Sequence, residues 1–290
     1  MTTDETSAVQ HATSTTGPQA RPTFDTSVAH IARVYDYWLG GKDNYAADRK
    51  AGDAALEAYP YIAGGVRANR AFLARVVRYL TGEAGIRQFL DIGTGIPTAN
   101  NTHEVAQEIA PDARVVYVDN DPIVLAHARA LLTSSPQGAT AYLDADFRDV
   151  DTILTEAKST LDFNQPVAIM LIAILHLIDD EADPNGAVAK LVDAVPPGSY
   201  LAISCLSSDI MASPARTQAH DRLRELMHEK QTLRNREEVA SFFAGLEMVE
   251  PGLVPLTQWR PASETDLRHE RGPHRPGLRL LAGRQGQLRG

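Results

Sequence analysis

Residues 89–98 read FLDIGTGIPT. An apolar pair, Phe89-Leu90, runs into an acid, Asp91, and then into two glycines, Gly93 and Gly95. A strand that ends in a glycine turn and continues as a helix brings its backbone close to a nucleotide-like ligand, because glycine turns tightly with no side chain in the way. A glycine pair also serves as a plain strand–helix turn, so the neighbouring residues decide the reading. A dinucleotide site asks for a third glycine three residues after the second and sets pyrophosphate on the helix N-terminus. Position 98 is Thr, and the GK[ST] of a phosphate-binding P-loop is missing. A carboxylate at Asp91 repels pyrophosphate and attracts an ammonium or sulfonium group.

Two further strand ends carry acids. The next apolar run closes as Tyr117-Val118-Asp119-Asn120-Asp121. An acid at the carboxyl end of a second strand accepts hydrogen bonds from both hydroxyls of a ribose. Asp121 can cap the helix that starts at Pro122, which leaves Asp119, with Asn120 beside it, for the sugar. The third run closes as Asp144-Ala145-Asp146-Phe147. There Asp146 can accept from an exocyclic adenine amine while Phe147 packs on the ring. A glycine turn with an acid, a ribose acid and an adenine acid on three successive strands describe a site for an adenosyl group with a cationic arm. S-adenosylmethionine fits that description.

Working outward, apolar strand-like runs at 88–91, 114–119, 139–144, 167–174 and 200–205 alternate with helical patterns at 98–110, 122–132, 150–158 and 185–194. Alternation of this kind predicts a parallel α/β sheet covered by helices on both faces. Three helices are expected before the first strand. The first is capped by Thr26 or Ser27 and stopped by Gly40-Gly41, the second ends near Pro60, and the third runs from Gly65 to Leu80 with Phe72, Leu73, Val76, Val77 and Leu80 on one face. Near the end, Asn235 with Glu238 is a capping-box pattern opening a helix to Phe243. Two extended candidates follow, 246–255 and 278–282. The expected organisation is a disordered tail over 1–22, a helical cap over 23–82 and the main domain over 83–290.

The chain has 290 residues, 43% hydrophobic, enough for one large domain with additions. Its net charge of -9 argues against a nucleic-acid binder that works through overall basicity. Residues 268–290 carry six Arg against one Glu, which reads as a solvated tail rather than a nucleic-acid contact. The single cysteine, Cys205, rules out a disulfide framework and a cysteine-cluster metal site. No metal constellation stands out among the nine histidines. The longest apolar run, 167–175, is too short to span a bilayer. The N-terminus lacks a basic region followed by an apolar core, so no signal peptide is read there and a cytoplasmic location is expected.

Five segments together resemble one family: YDYWLGGKDNYAADR (35–49), RANRAFLARVVRYL (67–80), FLDIGTGIPT (89–98), EVAQEIAPDARVVYVDNDPIVLAHARALL (104–132) and EEVASFFAGLEMVEPGLVPLTQWRP (237–261). They look like the bacterial S-adenosyl methyltransferase family, long catalogued as a domain of unknown function. The resemblance runs from about Thr23 to Pro261. It implies the seven-stranded class I methyltransferase fold with an antiparallel last strand, and a helical N-terminal cap over the cofactor. Carried over residue by residue, it makes Asp91, Gly93 and Gly95 the methionine-arm loop, Asp119 the ribose ligand, and Asp146 and Phe147 the adenine contacts. The Arg/Gly/Gln-rich stretch 278–290 departs from the family pattern.

Methyl transfer is a direct displacement, accelerated mainly by holding the nucleophile in line with the methyl group. A base is needed only if the acceptor must lose a proton. The fourth strand ends Ile172-Ala173-Ile174-Leu175-His176. Ile172 is expected against the cofactor, and His176 either faces the methyl group as a catalytic base or packs structurally behind the strand end. In the GGKDN segment, Lys42, Asp43 or Asn44 is expected to reach the cofactor or acceptor as the loop closes over the methionine end. Asn69 and Arg70 either bind a carboxylate or lie on the surface. The reading is an S-adenosylmethionine-dependent methyltransferase with a small-molecule acceptor. Its rivals are a regulatory protein that binds the cofactor without turnover and a nicotinamide-dependent reductase. Thr98, Asp91 and the lack of a Tyr-x-x-x-Lys pair disfavour the last.

Overall fold

The computed structural model describes residues 25–131, 134–210, 213–227, 231–261 and 278–282; the expected tail over 1–22 lies outside them. Three helices come first: α1 (Ile31–Leu39), α2 (Ala46–Ala58) and α3 (Ile62–Gly82). Strands and helices then alternate as β1 (Gln88–Ile92), α4 (Thr102–Ile109), β2 (Arg114–Asp119), α5 (Pro122–Leu131), β3 (Ala139–Asp144), α6 (Val150–Ala157), β4 (Ala168–Ile172), α7 (Pro184–Asp193) and β5 (Tyr200–Leu206). After these come α8 (Pro214–Met227), α9 (Arg236–Ser241), β6 (Leu253–Pro255) and β7 (Leu278–Ala282).

β3, β2, β1, β4 and β5 lie side by side in that order and are parallel. Beyond β5, β7 pairs with it antiparallel and β6 pairs with β7. Successive residues of a strand face opposite sides of a sheet. Leu90, Ile92, Val116, Val118, Ile169 and Leu171 accordingly enter one core. Phe89, Val115, Tyr117 and Met170 enter the other, with the α3 stripe of Phe72, Leu73, Val76, Val77 and Leu80. Helices cover both faces, which is why the strands read as unbroken apolar runs. The order of connection reverses between β1 and β4. In an open α/β sheet, that switch point is where a crevice opens at the strands' carboxyl ends.

Several element boundaries differ from the sequence expectation, and one helix was not expected. α1 starts at Ile31 with His30 as its cap, not Thr26 or Ser27. His30 N is spent on Asp48 Oδ1 at 2.9 Å, and Arg33 Nε meets the same buried carboxylate at 2.9 Å, so the helix is anchored from α2 at that point. α4 starts at Thr102 rather than Thr98, because Asn100 sits at φ 62° and Glu104 accepts from Asn101 N at 2.8 Å. The extended run 246–255 narrows to β6, with Pro251, which has no N–H to donate, just before it. α8 was not expected. Only Ala219, Leu223 and Met227 make its buried stripe, a narrow signal in a polar stretch, and it packs against α2.

Candidate functional site

A cavity of about 410 Å3 opens at the carboxyl ends of β1, β2 and β4, with α1 and α3 forming its opposite wall. Asp91, Gly93, Gly95, Asp119, Asn120, Asp146, Phe147 and Ile172 all line it. The glycine turn follows from the strand register. Gly93 has φ 76° and donates to Val118 O at 2.8 Å, which holds it against β2. A Cβ on Gly93 would come within 2.4 Å of Ile174 Cδ1, so a larger residue fits only if the Ile174 side chain shifts. Gly95, at φ 67°, would meet nothing within 4 Å and leaves open space above the turn.

The acids differ in environment. Asp91 is 5% exposed, and its Oδ2 accepts from Thr102 Oγ1 at 2.6 Å. Burial pushes its carboxyl up to about 6, against the lowering effect of the Thr102 hydroxyl. Asp119 is also raised by burial. Its Oδ2 accepts from Gly95 N at 2.8 Å and its Oδ1 from Asp121 N at 3.0 Å, so this carboxylate shapes the glycine turn. Asp146 goes the other way. Arg148 Nε and Nη2 reach its two oxygens at 2.7 and 2.6 Å and Asn120 Nδ2 adds a third bond at 2.9 Å, lowering it to about 2.

The helical wall was read less well from sequence. His30, Tyr35, Asp36 and Leu39 of α1 line the cavity. Lys42 and Asn44 do not: Lys42 is exposed, and Asn44 Nδ2 is turned back onto Asp36 Oδ2 at 2.9 Å. Trp38 belongs to the core, with its Nε1 on Gly52 O at 3.2 Å. Asn69 and Arg70 of α3 both reach the cavity, which removes the surface reading for them. Asn69 is 2% exposed and joins three elements: its Oδ1 accepts from Ser204 Oγ at 2.7 Å and its Nδ2 donates to Tyr35 Oη at 2.9 Å. Ser204 Oγ also accepts from Ala173 N at 3.0 Å, fixing the end of β4, where Ala173 takes φ 60°.

His176 is a correction. It is buried in the short helical turn after β4 and is not among the residues lining the cavity. Its backbone O accepts from Thr232 N at 2.9 Å, and burial lowers its imidazole to about 4. Its place is in the packing behind the strand end. Among the described residues, no group of three or more His, Cys, Asp or Glu is placed to hold a metal ion.

Comparison with known proteins decides what binds here. The profile of the S-adenosyl methyltransferase family matches residues 17–279. The chain belongs to that family. A DUF574 family protein from Streptomyces avermitilis MA-4680 shares 45% identity with a TM-score of 0.84, over 90% of this chain and 99% of its own. A Thermobifida fusca YX protein provisionally assigned as a methyltransferase shares 41%, with a TM-score of 0.79, over 90% of this chain and 96% of its own. The plantazolicin methyltransferase BpumL, solved with a triazolic desmethylPZN analog and SAH, shares 14% with a TM-score of 0.52, a likeness of fold. No curated protein matches the chain.

This S-adenosyl methyltransferase is therefore an S-adenosylmethionine-dependent enzyme. The residues present fit that cofactor. A buried carboxylate stands at the glycine turn and a half-buried one at the end of β2, and Asp91, raised by burial, gains from a cationic neighbour. Bound S-adenosylmethionine supplies a methyl group on a sulfonium, which an in-line nucleophile can displace. Among the described residues, no helix is long and apolar enough to cross a membrane.

Proposed function

We propose that this methyltransferase acts on a small-molecule acceptor held between the sheet ends and the α1 wall. The observation that carries this reading is the enclosure: α1 crosses the cavity, with His30 Nδ1 on Asp121 Oδ2 at 2.9 Å at one end and Tyr35 bonded to Asn69 at the other. A cavity of about 410 Å3 closed in this way suits a compact acceptor better than a folded macromolecule. We assign the methionine arm to Asp91, Gly93 and Gly95, the ribose hydroxyls to Asp119 with Asn120, the adenine to Asp146 and Phe147, and the wall beneath it to Ile172. The helical cap over 23–82 orients the acceptor and excludes water, and these two effects supply the rate.

In the same reading β7 and β6 complete the seven-stranded class I sheet, the main domain spans 83–290, and the enzyme works in the cytoplasm with Cys205 as a buried free thiol. The test follows radiolabelled methyl from S-adenosylmethionine into a cell extract split into low-mass, protein and nucleic-acid fractions. Label in the low-mass fraction supports the proposal. Label confined to protein or nucleic acid overturns it.

A further inference from the structure

Asp36 is an unmatched carboxylate in the cavity wall. It stands in the last turn of α1, is 3% exposed and lines the cavity. A helix C-terminus disfavours an anion, and burial disfavours it further unless a cation or enough donors meet it. No Lys, Arg or His pairs with Asp36 among the described residues. Asp43 N and Asn44 Nδ2 both donate to its Oδ2, each at 2.9 Å. Oδ1 receives no donor among the described residues, and it is not sealed in protein. The other acids that line the cavity are accounted for. Asp91 and Asp119 are assigned above to the cofactor, Asp146 is paired with Arg148 at 2.6 Å, and Asp179 Oδ1 accepts from the Thr232 hydroxyl at 2.9 Å.

Holding the GGKDN loop does not call for this charge. Both loop donors share one oxygen, so the single carbonyl oxygen of an amide would accept both. The second oxygen and the negative charge are left for something that enters the cavity. A nitrogen that carries or develops positive charge is the complement, because a charge-assisted N–H···O bond is about twice as strong as a neutral one. A neutral hydroxyl would leave the carboxylate's charge uncompensated.

We propose that Asp36 selects an amine as the methyl acceptor, which makes the enzyme an N-methyltransferase. This rests on the small-molecule reading and the cofactor placement proposed above. The neutral amine donates an N–H to Asp36 Oδ1 and turns its lone pair toward the methyl group. The N–CH3 bond forms as the S–CH3 bond breaks, and the bonding pair stays on sulfur as the thioether of S-adenosylhomocysteine. The positive charge passes from sulfur to nitrogen, and Asp36 meets it as it develops. The methylated ammonium gives up its proton to solvent after it leaves.

Calorimetry on the full-length protein with two synthetic probes tests this. Both are analogues of S-adenosylmethionine with nitrogen in place of sulfur and a two-carbon arm in place of the methyl group, one arm ending in an amine and the other in a hydroxyl. The amine arm is expected to bind about tenfold to a hundredfold more tightly than the hydroxyl arm. In Asp36→Asn, which keeps an oxygen for the two loop donors, that preference should vanish, while S-adenosylhomocysteine affinity and the unfolding temperature stay close to those of the parent. Equal affinity for the two arms in the parent, or none for either while S-adenosylhomocysteine binds, overturns the proposal whether or not the variant folds. An amine preference that survives in Asp36→Asn also overturns it, by assigning that preference to another acid of the cavity. A loss of S-adenosylhomocysteine affinity as large as the loss for the amine arm would make Asp36 a wall residue only. If the parent binds neither the analogues nor S-adenosylhomocysteine, the cofactor placement itself falls, and this inference with it.

Discussion

Asn44 Nδ2 donates to Asp36 Oδ2 at 2.9 Å, and Asp43 N reaches the same oxygen at 2.9 Å. Asp36 is 3% exposed in the cavity wall, so the GGKDN segment works at one remove: it holds a wall residue in place. Gly41 is part of that fit. Its N–H donates to Asp36 O at 2.9 Å, and a Cβ there would stand 1.9 Å from Asp36 Oδ1.

Asn44→Ala removes a bond to a carboxylate and is expected to lower stability by roughly 1.5–3 kcal/mol, with a fall in cofactor affinity as Asp36 loosens. Gly41→Ala should be worse, because the new methyl group displaces the Asp36 carboxylate. Lys42→Ala, at an exposed position, should change neither. Thermal unfolding with and without S-adenosylhomocysteine separates the three variants. A Lys42→Ala protein as impaired as Asn44→Ala would show that the segment itself meets the ligand.

Asp119→Ala is expected to weaken S-adenosylhomocysteine about tenfold to a hundredfold through loss of charge-assisted bonds. The same change frees Gly95 N and Asp121 N, which now donate to this carboxylate. Hydrogen exchange at the glycine turn should therefore quicken even without ligand. Unaltered affinity in a folded variant would remove Asp119 from the site.

Asp91 gives a pH dependence with a definite sign. Its folded-state carboxyl is raised by burial to about 6, so the folded protein holds this proton more tightly than the unfolded chain does. The group therefore favours folding at low pH, and its contribution is lost as pH rises from the ordinary carboxylate range through about 6. Asp91→Asn should raise the unfolding temperature of the ligand-free protein at pH 8 and leave it nearly unchanged at pH 4. Affinity for the cationic cofactor runs the opposite way, falling as pH drops below about 6. Unfolding and calorimetry across that window check both slopes; a pH-independent gap between the variant and the parent would contradict the first.

Asn69→Ala breaks the link between Ser204 and Tyr35 and leaves the Ser204 hydroxyl proton without its acceptor, while Tyr35 Oη keeps its bond to Val66 O at 3.3 Å. Each buried group left unsatisfied costs roughly 1–3 kcal/mol. The loss should appear as faster hydrogen exchange in α1 and at the end of β4. An effect confined to α3 would mean that the link does not couple the helical wall to the sheet.

Much of this was legible along the chain, for a local reason. The five parallel strands and the helices between them announce themselves through short apolar runs and periodic stripes, each contained in one segment. The strand-end residues Asp91, Gly93, Gly95, Asp119, Asp146 and Phe147 converge because parallel strands all end at one edge of the sheet, and α/β connectivity brings their ends to one crevice. The capping box at Asn235 and Glu238 was readable because its partners lie three residues apart.

What sequence alone determined is therefore the sheet, its acidic strand ends and the adenosyl chemistry they imply, since each depends on residues within one short segment and on the edge they share. The tertiary structure decided the opposite wall. Whether Lys42 or Asp36 faces the cavity, whether His176 points in or packs behind, and whether Arg70 lies on the surface or lines the cavity depend on how α1 and α3 pack on the sheet. Asp36 is oriented by donors from Gly41, Asp43 and Asn44, and Asn69 by Ser204 far along the chain. Bonds between distant segments leave no period or spacing in a sequence, because the packing that brings their partners together exists only once the chain has folded.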